Sequence, residues 1–105
     1  DREKEMPEEM SRLQKIAGKL EAYGLDAMMI TSEPNRLYAS QFHSTAGTAI
    51  VTKKKSYFFA DSRYIEAAGK QIGDAEIRLV TNEITAVDLT NEVIKSYGIR
   101  KLGFE

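Results

Sequence analysis

Two adjacent β-rich runs with no helix between them constrain the fold of this sequence most strongly. Residues 48–52 and 56–60 are rich in β-branched and aromatic side chains, and Lys53, Lys54 and Lys55 separate them. This spacing predicts an antiparallel hairpin. Elsewhere helix-like and strand-like patterns alternate, and the predicted order α-β-α-β-β-α-β-α-β is typical of a layered α/β domain. A hairpin inside that alternation requires a sheet of mixed direction.

The helix signals are clearest near the two ends of the chain. Apolar residues recur every three or four positions over residues 8–23, which predicts a helix that Gly24 ends. Thr85 is predicted to cap the last helix, with Asp88 completing a capping box. Shorter helices are predicted over 33–40 and 63–72, and strands over 26–31, 48–52, 56–60, 76–80 and 100–105.

Composition excludes several classes of function. The 105 residues carry 15 Lys and Arg against 16 Asp and Glu, so no excess of positive charge favours nucleic acid or an anionic membrane. The absence of Cys excludes disulfides and zinc–thiolate sites. No apolar run approaches the ~20 residues of a membrane span. We therefore expect a single cytoplasmic domain that binds neither nucleic acid nor membrane.

The chain begins with Asp rather than Met, and its last predicted element is a strand. We therefore expect residues 1–105 to be one domain of a longer protein.

Motifs that would indicate catalysis are missing from the sequence. It contains no phosphate-binding glycine motif, no H-E-x-x-H and no G-x-S-x-G. A triad of His43, Ser44 and Asp61 is disfavoured, because adjacent loop residues rarely point at each other. The 16 carboxylates show no spacing typical of metal ligands, whereas a two-metal hydrolase site needs several such groups converging on one point. We predict no catalytic residue and no metal ligand in this chain.

Two short segments remain as candidates for binding. His43 lies in a polar loop. Three roles are open for it: an exposed side chain, a hydrogen-bonded structural residue or a residue that binds a ligand. Asp61 follows an aromatic strand and is predicted to cap the helix that begins near Arg63. The guanidinium of Arg63 suits either a structural pair with Asp61 or a ligand carboxylate or carbonyl.

Several motifs, in the expected order, make the sequence similar to a known family. Residues 35–47, Asn-Arg-Leu-Tyr-Ala-Ser-Gln-Phe-His-Ser-Thr-Ala-Gly, resemble the N-R-x-Y-L-S-G-F-x-G-S-A-G stretch of Xaa-Pro aminopeptidases and prolidases. Residues 57–64 resemble the aromatic strand of that family, which ends in Asp-(Gly/Ser)-Arg-Tyr. Residues 99–105 resemble a late strand of the same domain. The resemblance covers about residues 10–105 and is to the creatinase/prolidase N-terminal domain alone.

The resemblance implies a fold and a division of labour. The implied fold is a three-layer α/β/α domain with a mixed sheet of ribonuclease-H-like topology. It implies that residues 1–105 are a single N-terminal, non-catalytic domain that precedes a separate pita-bread catalytic domain. That second domain would hold two divalent metal ions, Mn, Co or Zn. The implied partners are that catalytic domain, a second subunit in a homodimer, and a peptide with proline at its second position.

The resemblance also assigns roles to residues. Phe42, His43 and Arg63 would lie at the substrate entrance. The segment from Phe42 to Gly47 is expected to be mobile, since its side chains have little to bury. Gln41 stands where the family usually has Gly, so we expect the loop to follow a different path.

Two other functions stay open. The chain is alternatively a non-catalytic protein-binding or assembly module of the same fold, or the N-terminal domain of a creatinase-like hydrolase. Five metal ligands in the sequence that follows Glu105 would favour an enzyme over a module.

Overall fold

The computed structural model describes residues 11–104. The helices are α1 (Arg12–Lys19), α2 (Glu33–Ser40), α3 (Ile65–Gln71) and α4 (Ala86–Tyr97). The strands are β1 (Ala27–Ile30), β2 (Thr48–Thr52), β3 (Ser56–Ala60), β4 (Glu76–Leu79) and β5 (Leu102–Phe104). This order of elements is the predicted one.

The described strands form one mixed sheet in the order β4-β3-β2-β1-β5. The predicted hairpin is confirmed, with Ile50 opposite Tyr57 in an antiparallel β2–β3 pair. Strand β1 is antiparallel to β2, whereas β4 is parallel to β3 and β5 is parallel to β1. Only β2 therefore runs against the other strands.

Helices cover both faces of the sheet, as the three-layer prediction requires. On one face, residues of α1, α2 and α3 pack against alternate residues of the hairpin, including Val51 and Phe58. On the other face, Leu89 and Val93 of α4 pack against Ile50 and Phe59. The central strands are buried on both sides, which explains their continuous apolar sequence.

The first helix begins later than predicted. Ser11 has extended backbone and accepts a hydrogen bond from the Gln14 N–H, while the Gln14 side chain accepts one from the Ser11 N–H. This capping box makes Ser11 the residue that precedes the first turn of α1. The prediction of one continuous helix over residues 8–23 is therefore wrong. Residues 8–10 themselves lie outside the described part. The capping box of Thr85 and Asp88 on α4 is confirmed.

Candidate functional site

The candidate residues meet at one edge of the sheet. Because β2 runs against the other described strands, its amino-terminal end lies beside the carboxyl-terminal ends of β1 and β3. The loop before β2 and the turn after β3 therefore lie together, although they are separated in the sequence. We call this region the carboxyl edge of the sheet.

The loop at this edge starts with a strained residue. Gln41 ends α2 with φ 59° and ψ 27°, the left-handed conformation that glycine adopts at the lowest cost. Gln41 thus takes the backbone turn that a glycine would make there. The expectation that glutamine redirects the loop is not supported at this residue.

Phe42 lies in the core rather than at the surface. It is 4% exposed, and its ring meets the edges of Phe58 and Tyr64 at centroid distances of 5.9 and 6.3 Å. Ser44 is also buried. The expectation that this segment has little to bury is therefore wrong, since the side chain of Phe42 fills a gap between the hairpin and α3.

Arg36 reaches this loop from the side of α2. It is 4% exposed, and its guanidinium donates to the backbone carbonyls of Thr31 and Ser44. The distance from Nη2 to the Ser44 oxygen is 2.6 Å. A buried charge needs such partners, because moving a charged group from water into the protein interior without hydrogen bonds costs much free energy.

The turn after β3 is built around Asp61. Its Oδ1 accepts from the backbone N–H of Arg63 at 3.0 Å, and both carboxylate oxygens accept from the Arg63 guanidinium. Tyr64 occupies the N-cap position of α3 but makes no side-chain capping bond. The Asp61 side chain instead satisfies the Arg63 N–H in the turn that leads into the helix, and the Asp61 carbonyl accepts from the N–H of Ile65, the first helical residue. The Arg63 side chain lowers the pKa of Asp61, and the Asp61 side chain raises the pKa of Arg63.

Tyr64 connects the turn with the loop. Its hydroxyl lies 2.8 Å from the hydroxyl of Thr45 and accepts from the Thr45 N–H at 3.3 Å. These hydrogen bonds lower the pKa of Tyr64. The guanidinium of Arg63 lies 5.1 Å from the centroid of the Tyr64 ring. Phe42 and Arg63 therefore share Tyr64 as a neighbour.

His43 points away from the core. Its side chain is 66% exposed, and Nε2 lies 3.0 Å from a carboxylate oxygen of Glu33 at the start of α2. Of the three predicted entrance residues, His43 and Arg63 thus present polar groups at the surface, whereas Phe42 lies beneath them. No sequence signal indicates a role for Arg36 or Thr45, because only the folded structure brings them to this edge.

Comparison with known proteins identifies the family. Residues 12–105 match the creatinase/prolidase N-terminal domain. The chain belongs to this family.

Relatives of this creatinase/prolidase N-terminal domain include larger peptidases. It is 34% identical over 94 residues to the uncharacterized peptidase YqhT of Bacillus subtilis (strain 168), covering 90% of this chain and 26% of that protein. The chain therefore spans about a quarter of the length of that curated relative.

Solved structures of relatives share the fold. An Xaa-Pro dipeptidase from Bacillus anthracis matches with a TM-score of 0.80 and 33% identity, over 90% of this chain and 26% of that chain. The N-terminal domain of the cytoplasmic peptidase PepQ from Mycobacterium tuberculosis H37Rv matches with a TM-score of 0.76 and 30% identity, over 90% and 72% respectively.

Two further properties bear on the chemistry of this N-terminal domain. Among residues 11–104, no three His, Asp or Glu side chains come close enough together to hold a metal ion. This part of the chain therefore contains no ligand set for the two divalent ions that the resemblance implies. No helix formed by these residues has the length and apolar character to cross a membrane.

Proposed function

We propose that this chain is the N-terminal domain of an Xaa-Pro aminopeptidase or dipeptidase that hydrolyses the peptide bond before a proline. In this proposal a following catalytic domain holds the two divalent ions, Mn, Co or Zn, and performs the hydrolysis. The full protein would be a cytoplasmic homodimer. Membership of the family and the similarity to an Xaa-Pro dipeptidase support this proposal.

The direction of β5 carries the argument for a role at the substrate entrance. Strand β5 is parallel to β1, with Met29 opposite Phe104, so its carboxyl-terminal end lies at the carboxyl edge of the sheet. A segment that follows Phe104 would leave the sheet at this edge. A catalytic domain attached there would face the loop of residues 42–47 and the turn at Arg63.

The exposed groups at this edge suit the recognition of a peptide. The side chain of Arg63 is 62% exposed, and its planar fork can donate to a carboxylate or carbonyl oxygen in addition to Asp61. The imidazole of His43 can donate to or accept from a peptide group. Phe42 would contribute by supporting the loop from below rather than by direct contact with substrate.

The test is steady-state kinetics of the full-length protein on Xaa-Pro dipeptides and longer peptides, with Mn²⁺ supplied. We expect His43→Ala and Arg63→Ala each to lower kcat/KM by about 5- to 30-fold, which corresponds to one lost hydrogen bond to substrate or transition state. Lys54→Ala is the matched control, since Lys54 is an exposed cation in the hairpin turn at the opposite edge. Denaturation midpoints measured on the same samples separate binding from folding.

Three outcomes would contradict the proposal. Unchanged kinetics in both variants would remove these residues from the substrate entrance. Hydrolysis of an Xaa-Pro peptide by the 105-residue chain alone would contradict a catalytic centre elsewhere. A full-length protein that cleaves creatine but no Xaa-Pro peptide, or that hydrolyses neither, would favour the creatinase-like hydrolase or the non-catalytic module instead.

A further inference from the structure

We propose that Arg36 is a positioning residue that holds the loop of residues 42–47 and thereby places the imidazole of His43. Contacts within this chain fix the position of the loop. The benefit to substrate binding rests on the proposed function above.

The first contact is the fork of the Arg36 guanidinium. Nη1 donates to the carbonyl of Thr31 just after β1, and Nη2 donates to the carbonyl of Ser44 in the loop. A planar guanidinium can serve two carbonyls on different segments with fixed geometry, whereas a lysine ammonium is a single point of charge. Arg36 therefore ties the loop to the end of β1.

The second observation is that Gly47, at the end of the loop, lies near Arg36. Gly47 has φ 153°, and a Cβ added to it would lie 3.1 Å from the Phe58 ring and 3.4 Å from Nε of Arg36. The backbone of Gly47 thus lies close to the Arg36 side chain. Arg36 therefore bonds to Ser44 and lies near Gly47, at the two ends of the segment 44–47.

The third observation links Arg36 to His43. Glu33 precedes Arg36 by three residues on α2, so the two side chains lie on neighbouring positions of one helix face. Glu33 contacts His43 at the surface, while Arg36 contacts the adjacent Ser44 in the interior. Side chains of one helix therefore contact two consecutive loop residues. A shift of the Ser44 carbonyl would then move the imidazole of His43 away from Glu33.

Amide hydrogen exchange of this chain tests the anchoring without any peptidase assay. We expect Arg36→Lys to raise the exchange rate of the Thr45 amide, which donates to the Tyr64 hydroxyl, by about tenfold or more, as for the loss of one charged hydrogen bond. The matched control is Arg78→Lys, because Arg78 lies on β4 and pairs with Glu76 and Glu92. Gly47→Ala is the positive control for a loosened loop, since its Cβ would lie 3.1 Å from the Phe58 ring and a φ of 153° disfavours a side chain.

Three results would contradict the proposal that Arg36 anchors the loop. Unchanged exchange of the Thr45 amide in Arg36→Lys would show that Arg36 does not hold the loop, whatever Gly47→Ala does. An equal rise throughout the hairpin and α4, or a failure of Arg36→Lys to fold, would make the arginine a requirement of the whole domain. Ser44→Ala should leave exchange unchanged, since the Ser44 hydroxyl is buried without a hydrogen-bond partner among the described residues.

Kinetics of the full-length protein test the link to His43. Arg36→Lys should lower kcat/KM for an Xaa-Pro peptide, and should lower it no further in a His43→Ala background. Arg78→Lys should leave kcat/KM unchanged. Additive losses would show that Arg36 does not act through His43. If no Xaa-Pro peptide is hydrolysed, the proposed function fails, and the exchange experiment alone decides whether Arg36 anchors the loop.

Discussion

Truncation of Phe42 should destabilise this domain far more than its position in a polar loop indicates. The ring is 4% exposed and makes edge contacts with Phe58 and Tyr64. Replacing a buried Phe by Ala costs about 3–5 kcal/mol through lost transfer free energy and the cavity left behind. Each edge-to-face pair accounts for roughly 0.5–1.5 kcal/mol of aromatic interaction beyond area burial. The total stability of a domain is about 5–15 kcal/mol, so Phe42→Ala removes a large part of it.

The assay is urea and thermal denaturation of the 105-residue chain followed by circular dichroism, since the sequence contains no Trp. At about 4–8 °C per kcal/mol for a domain of this size, the Tm should fall by at least roughly 12 °C. His43→Ala is the control, because the adjacent side chain is 66% exposed and should change stability by no more than about 0.5 kcal/mol. A Phe42→Ala midpoint as close to the wild type as that of His43→Ala would refute the assignment of Phe42 to the core.

Three further changes test other contacts, each by denaturation of the same chain. Thr85→Ala should cost about 0.5–2 kcal/mol by removing the cap of α4, whereas Thr85→Ser keeps the hydroxyl; equal losses in the two variants would contradict the capping role. Gln41→Gly should stabilise the fold by about 1 kcal/mol, because glycine relieves the left-handed strain, and a loss of stability would contradict that view. Arg63 lowers the pKa of Asp61, so the carboxylate contributes stability above its unfolded pKa and loses it as pH falls through the folded pKa. The decline in stability between about pH 5 and about pH 3 should therefore be shallower in Asp61→Asn, and an unchanged slope would contradict the pair.

If the proposed function holds, residues at two depths of the carboxyl edge have different roles. His43 and Arg63 lie at the surface, where they can meet a substrate or a neighbouring domain. Phe42 and Arg36 lie beneath, and in our proposal they hold the loop backbone that presents His43. Variants of the buried residues should therefore alter activity together with loop exchange or stability, whereas variants of the surface residues should alter activity alone.

Local features of this protein could be predicted because their causes lie within a few residues. The Thr85 capping box depends on a partner three positions away, and the hairpin depends on two β-rich runs separated by three lysines. The start of α1 was predicted wrongly although its signal is equally local. The apolar stripe beginning at residue 10 outweighed the capping pair of Ser11 and Gln14.

The sequence by itself determined the order of the elements, the mixed sheet and the motifs that place the chain in its family. Tertiary structure alone decided that Phe42 and Arg36 are buried and that Tyr64 meets Thr45, 19 residues away. These contacts depend on strand order: β2 runs against β1 and β3, which brings one loop and one turn to the same edge. A polar loop sequence therefore looks exposed until the neighbouring strands and helices supply the apolar surface that buries Phe42 and the α2 arginine that donates to the Ser44 carbonyl.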